Sequence, residues 1–203
     1  MPLSTIGGNQ IASGAVDSTQ LASDAVTTAK LASGAITAAS LPTGSVLQVV
    51  SNVDNTQNGY TNYANSGWQD IVGMSVTLTP QSSSSKLLIT ASISVGHHDW
   101  GVMFRVLQDG STTSLLGTTG DTRPSGTFGT VGYVTNDDEV STGTFSGVIT
   151  AGTTSATTIK IQGAQRSDTN GSGWSVNRAD DSPTTNTSRV TACSSIVVME
   201  IAG

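Results

Sequence analysis

Between residues 6 and 41 an aliphatic residue falls at every fifth position: Ile6, Ile11, Val16, Leu21, Val26, Leu31, Ile36 and Leu41. Everything between them is small or polar. Written in tens, the stretch reads IASGAVDSTQ, LASDAVTTAK, LASGAITAAS, a repeat of aliphatic-Ala-Ser-Gly/Asp-Ala-aliphatic followed by four small or polar residues. A spacing of five makes no stripe on a helix, because each step turns about 140° past a full turn. On a strand, an odd step sends successive aliphatics to opposite faces. These side chains cannot bury one another within a single chain, so the pattern predicts packing against copies of the same chain. Parallel copies in register would close an aliphatic ring at each level, which is the plan of a fibre shaft. A disordered Ala/Ser/Thr-rich arm has the same composition, yet disorder does not require so strict a register.

At Leu41-Pro42-Thr43-Gly44 the repeat meets two breakers, and from Ser45 the period changes to two. The sequence therefore divides into residues 1–44, a repeat arm that forms the stalk and the attachment, and residues 45–203, a β domain. Strands are predicted at VLQVV (46–50), at 68–79, where Met74, Val76 and Leu78 alternate with Ser and Thr, and at 86–95, where Leu87, Ile89, Ala91, Ile93 and Val95 share a face. GVMFRVLQ continues the alternation, and Asp109-Gly110 is a tight-turn dipeptide. TFGTVGYV, TGTFSGVIT, ATTIKIQG, SGWSVNR and the stretch 189–201 supply further strands. Residues 52–67 and 179–188 read as long polar surface loops. Nine or ten short strands with regular turns and no helix predict an all-β sandwich or jelly roll.

Composition supports this class. The chain has 203 residues with 11% charged and 4% aromatic, and it carries 60 Ser plus Thr. Such usage favours pleated sheet and turns over helical surfaces. A net charge of −6 with eight scattered Lys and Arg is the wrong footprint for nucleic acid. No apolar run is long enough for a membrane helix, and MPLSTIGGNQ is not a secretory signal. The expectation is synthesis in a cytoplasm, without partners among membranes or nucleic acids. The single cysteine, Cys193, excludes an intrachain disulfide and reads as a small buried residue.

The residues also carry a resemblance. The decad repeats, the junction GSVLQVV, the pair VTLTPQSSSSKLLITASISV, then FRVLQDG, AGTTSATTIKIQG and the terminal SSIVVMEIAG resemble fibre-type virion proteins of tailed bacteriophages, in particular those of aquatic and cyanobacterial hosts. The resemblance spans nearly the whole chain. It implies a homotrimer with an N-terminal stalk and a C-terminal jelly-roll knob similar to tumour-necrosis-factor-like heads, placed on the virion as a tail fibre, head fibre or capsid decoration. The repeat begins almost at once, so the expectation is that the first residues are themselves the anchor, or that the arm lies along another virion protein of the capsid, tail or baseplate.

Chemistry is sparse. His97 and His98 adjoin Asp99, but neighbours on a strand point to opposite faces, so no resident metal is expected. The acidic run Asp137, Asp138, Glu139 lacks calcium-loop spacing. There is no nucleophile elbow or phosphate loop, and no enzyme activity or cofactor is expected. Loop aromatics and bases are the better candidates for a ligand surface on the knob, facing a host-surface glycan or protein: Tyr60, Tyr63, His97, His98, Trp100, Arg123 and Arg178. For Tyr60, Tyr63 and Trp100 a place in the core is the competing reading, whereas Trp68 and Trp174 are expected in the core.

Overall fold

Wherever the sequence alternates apolar with hydroxyl-bearing residues, the chain forms antiparallel strands, and these assemble into two sheets with their apolar faces together. The computed structural model describes residues 11–61, 67–97, 101–117, 125–130, 140–165, 173–179 and 191–203. Two units divide the chain, Met1–Ser40 and Leu41–Gly203.

In the first unit the five-residue period is a period of turns. Backbone N–H to C=O bonds join Ala15 to Ala12, Gln20 to Asp17, Ala25 to Ala22, Lys30 to Thr27, Ala35 to Ala32 and Ser40 to Thr37, at 2.9 to 3.2 Å. Each aliphatic residue therefore precedes one closed turn. Alternate turns carry a left-handed residue at their third position: Gly14, Asp24 and Gly34, with φ of 78°, 60° and 78°. That requirement accounts for the Gly/Asp position of the decad, since these residues tolerate positive φ at least cost.

The second unit is all-β among the described residues. Its strands are β1 (Val46–Asp54), β2 (Asn58–Tyr60), β3 (Gln69–Leu78), β4 (Lys86–His97), β5 (Val102–Gln108), β6 (Ser111–Thr112), β7 (Phe128–Gly129), β8 (Ser141–Thr150), β9 (Thr157–Gln165), β10 (Trp174–Val176) and β11 (Ser194–Ile201). In the first sheet β1 pairs β11, β11 pairs β4 and β4 pairs β8, while β10 and then β2 extend it beside the last residues of β4. In the second, β3 pairs β9, β9 pairs β5, and β6 and β7 both pair β5. All pairs are antiparallel.

The core lies between the sheets. Leu87, Ile89, Ile93 and Val95 of β4, with Ile196 and Val198 of β11, face Met74, Val76, Phe104, Val106, Ile159 and Ile161 of the second sheet, all buried. Phe128 bridges Phe104 and Phe145, with ring centroids 4.8 and 5.3 Å away. The predicted tight turn is present: Asp109 and Gly110 have φ of 50° and 82°, and the Asp109 carboxylate accepts from the Thr158 amide at 2.8 Å and the Thr157 hydroxyl at 2.7 Å. At Gly163 the two sheets meet without room for a methyl group. A Cβ there would stand 2.5 Å from the Trp174 ring and 3.3 Å from Ile71, so Gly163→Ala is expected to cost about 1 to 3 kcal/mol, measurable as a lowered thermal midpoint.

Four expectations are corrected. Strand β1 runs to Asp54 and β2 occupies residues 58–60, where a loop was expected; both are edge segments whose hydrogen-bonding partners, β11 and β10, set their conformation without an apolar signature. Strand β11 starts at Ser194, not at 189, and Cys193, just before it, is exposed. On β3 the alternation of Met74, Val76 and Leu78 is present as expected, and upstream of it the register shifts between Asp70 and Ser75, around Gly73 with φ of 78°, so that Ile71 is the next buried residue. Trp68 is half-buried beneath the Arg105 guanidinium, which stands 4.7 Å from its ring, and is not in the core.

Candidate functional site

Burying a side chain needs a neighbour, and in the arm none is supplied. Ile11, Val16, Leu21, Val26, Leu31, Ile36 and Leu41 are all between 38% and 58% exposed. The turns satisfy backbone groups locally, and Asp17 adds its own, accepting from the Thr19 amide and hydroxyl at 2.7 and 2.6 Å. Each five-residue unit of the arm thus closes one backbone hydrogen bond across its turn and leaves its aliphatic side chain exposed. Ile6 lies outside the described residues.

The outer face of the first sheet repeats this condition. Its register sets Val49, Met199, Leu88 and Val148 in one row across all four long strands. None is fully buried, and Val49 and Val148 are 53% and 48% exposed. Neighbouring rows are Ser51, Val197, Thr90, Ser146 and Val53, Ser195, Ser92, Thr144. These three rows hold no charged residue, and in the row beyond Leu88 the Lys86 ammonium donates to the Thr150 hydroxyl at 2.9 Å. A sheet face that only met water would carry more charge, as the opposite sheet does.

On the second sheet the outward positions hold a connected polar row. Asp70, Gln162 and Arg105 stand directly across from one another on β3, β9 and β5. Arg105 donates through Nε and Nη2 to Gln162 Oε1 at 2.8 and 2.5 Å, Gln162 Nε2 donates to Asp70 Oδ1 at 2.6 Å, and Lys160 Nζ donates to Asp70 Oδ2 at 2.7 Å. The bond from Lys160, assisted by Gln162, holds the Asp70 carboxyl below the ordinary aspartate value against a smaller desolvation effect. Burial lowers the Arg105 pKa, and the Asp70 charge partly restores it.

Several of the expected ligand residues stand elsewhere. Tyr60 is half-buried: its ring stacks on Trp174 with centroids 4.3 Å apart and an interplanar angle of 17°, and its hydroxyl accepts from the Val72 amide at 3.1 Å. Burial raises its pKa. His97 is 2% exposed, directly across from Trp174 on the inner side of the sheet, and neither ring nitrogen has a hydrogen-bond partner among the described residues. Burial pushes its pKa below the ordinary histidine value. Against the expected ligand surface, alternation along β4 turns His97 inward, and for Tyr60 pairing with β10 favours the competing place against the core, on Trp174. Arg178 is partly buried, and one of its guanidinium nitrogens lies 3.1 Å from where a Gly59 Cβ would be. Tyr63, His98, Trp100 and Arg123 lie outside the described residues, as do Asp137, Asp138 and Glu139.

The strand ends flanking the longer connections gather at one end of the sandwich: Tyr60, His97, Gln165, Trp174 and Ser194 all border it, and β1 starts at the other. Among the described residues no group of three or more His, Cys, Asp and Glu is placed to hold a metal ion, and no helix is long and apolar enough to cross a membrane. Sequence reading missed the Trp68–Arg105–Gln162–Asp70–Lys160 row. A polar alternation in QDIVG, TIKIQ and FRV was present to find it, but the pairing that joins the three strands was not. No protein-family model and no curated protein matches the chain.

Proposed function

We propose that the chain is a structural, non-enzymatic subunit of a tailed-phage virion: a homotrimeric short fibre whose arm forms the shaft and whose β-sandwich is a jelly-roll head of the tumour-necrosis-factor-like kind, exposed on the particle and available to the host surface. The observation that carries this reading is the arm, in which every fifth residue is aliphatic and exposed while every turn between them is closed. Identical chains in parallel register bring like residues to each level and bury them without asking any backbone group to change partner. The apolar row on the first sheet supports the same occupant, since copies related by an axis would cover it. The strand order supports the jelly roll. Counted as eight with β6 and β7 as one and the short β2 and β10 left out, the strands run first, eighth, third, sixth in one sheet and second, seventh, fourth, fifth in the other. The number three comes from the resemblance to phage fibres.

Sedimentation equilibrium of the intact chain at micromolar concentration tests it. The expected mass is three times the 20.5 kDa chain, and a monomeric mass would overturn the reading. Deleting residues 1–40 is expected to leave a folded head that no longer joins the particle. Particles that lack the protein should adsorb poorly to the host; particles that adsorb normally but lose heat stability would make it a capsid decoration protein instead.

A further inference from the structure

We propose that His97 is an acid-released latch: while its ring is neutral it holds the short strands β10 and β2 against the end of β4, and once the ring is protonated they peel away. The device is contained within one chain, so it holds for a monomer as for a trimer.

The attachment is narrow. Strand β8 pairs β4 from Lys86 to Val95 and β11 pairs it from Lys86 to Ser92, whereas β10 pairs it only through Val95, Gly96 and His97. Strand β2 in turn is joined to the sheet through β10. Just past β10 the chain is pinned at Asn177. Its backbone amide donates to the Ser94 carbonyl at 2.9 Å, Nδ2 donates to the Asp54 carbonyl at 2.9 Å, and Oδ1 accepts from the Ser194 hydroxyl at 2.6 Å. The other end of β10 has no such clasp. There Trp174 stands across from His97 on one side and from Tyr60 on the other, and it stacks on the Tyr60 ring. Opening therefore starts at His97 and stops at Asn177.

The ring at this end is unsuited to charge. Both its nitrogens are buried without partners among the described residues, so the neutral imidazole already leaves one donor and one acceptor unmet. The cation would leave two donors and a charge. Burial alone displaces its pKa, and the surroundings agree. Strand β10 carries no titratable group, β2 carries only the Tyr60 phenol, held protonated by burial, and β8 meets Val95 with Ser141. The second sheet buries Ile71, Val102 and Gln165 and keeps Asp70, Lys160 and Arg105 on its outer face. Arg178 lies beside Gly59, and Asp54 meets Asn177. His98 and Asp99 lie outside the described residues.

The open form takes up its proton at the ordinary histidine value and the closed form only below it. Local opening therefore rises as the pH falls through about 6.5, approaching tenfold per pH unit while only the open form is protonated, in a range well above that of carboxylates.

Hydrogen exchange of the intact protein, read by mass spectrometry from pH 7.5 to 5.5 and corrected for the intrinsic pH dependence of exchange, tests the latch. Opening over residues 58–60 and 174–176 is expected to rise about fivefold to tenfold, with 86–93 and 159–161 unchanged. His97→Phe keeps a ring that cannot titrate and should abolish the rise, whereas His98→Asn should preserve it. The His98→Asn protein also leaves one histidine, so its imidazole resonance in the folded protein reports His97 directly and is expected to titrate below the ordinary value, whether or not the Phe variant folds. Exchange that does not respond to pH, an equal response in His97→Phe, or a His97 resonance titrating at the ordinary value overturns the proposal.

Discussion

Leu88→Asp together with Val148→Asp is expected to weaken self-association at least about a hundredfold and leave each chain folded. The two positions are direct cross-strand neighbours on β4 and β8, and both point away from the core. In a single chain the carboxylates meet water, so only a mild mutual repulsion is added. At an interface between copies, two charges per chain lose their hydration in a row of Val49, Met199 and their counterparts, and no basic group other than Lys86 stands in the neighbouring rows. An uncompensated buried charge costs several kcal/mol, and about 2.7 kcal/mol already corresponds to a hundredfold. Sedimentation across a concentration series reads the effect, and circular dichroism reads the fold. Thr77→Asp, on the outer side of the other sheet, is the control and should leave the mass unchanged. A double variant that sediments as the wild type does would mean that this face takes no part in assembly.

The same two sheets show which parts of the fold could be read from residues. Strands β4, β5 and β9 announce themselves because large apolar residues on their inner faces, such as Leu87 to Val95, Val102 to Val106 and Ile159 with Ile161, fall at every second position. A strand of this kind carries its own evidence. The second half of β1 and all of β2 do not: Ser51, Asn52 and Asn58 are held by partners on β11 and β10, so their conformation is stored in distant residues. His97 and Trp68 were misplaced for related reasons. His97 follows five inward residues at even spacing, but the polar cluster with His98 and Asp99 outweighed that alternation, and Trp68 was assigned by its apolar size when its sheet position sets it under a guanidinium. In the arm the five-residue period was legible. The turn in each five-residue unit was not, since only the alternating Gly14, Asp24 and Gly34 betray the left-handed residue.

A different kind of dependence, on pH, should centre on Glu200. Its side chain is fully buried at the end of β11, where burial acts to raise its pKa. Hydrogen bonds oppose this and prevail: Gln48 Nε2 donates to one carboxylate oxygen at 2.6 Å and the Gln81 amide donates to the other at 2.7 Å, so the net pKa lies below the ordinary glutamate value. The carboxylate thereby fastens the turn between β3 and β4 to β1 and β11. A depressed carboxyl pKa contributes stability that is present above the unfolded value and is lost as the pH falls through the folded one. Stability should therefore decline on acidification below about pH 4.3, the unfolded glutamate range. Glu200→Gln keeps the shape but turns an amide donor toward Gln48 Nε2, which already donates to the Thr79 carbonyl at 2.7 Å. The expected loss is about 2 to 3 kcal/mol at pH 7, shrinking as the wild type is itself protonated. Asp70 also has a lowered pKa, but it sits on the solvent side, where screening leaves its pair with Lys160 worth little; Asp70→Asn should shift the acid limb far less. Denaturant unfolding of the three proteins between pH 3 and 7 measures the difference. If Glu200→Gln matched the wild type throughout, the turn would be held by its backbone bonds alone, such as Ser85 N to Ser82 O and Ala151 N to Ser85 O.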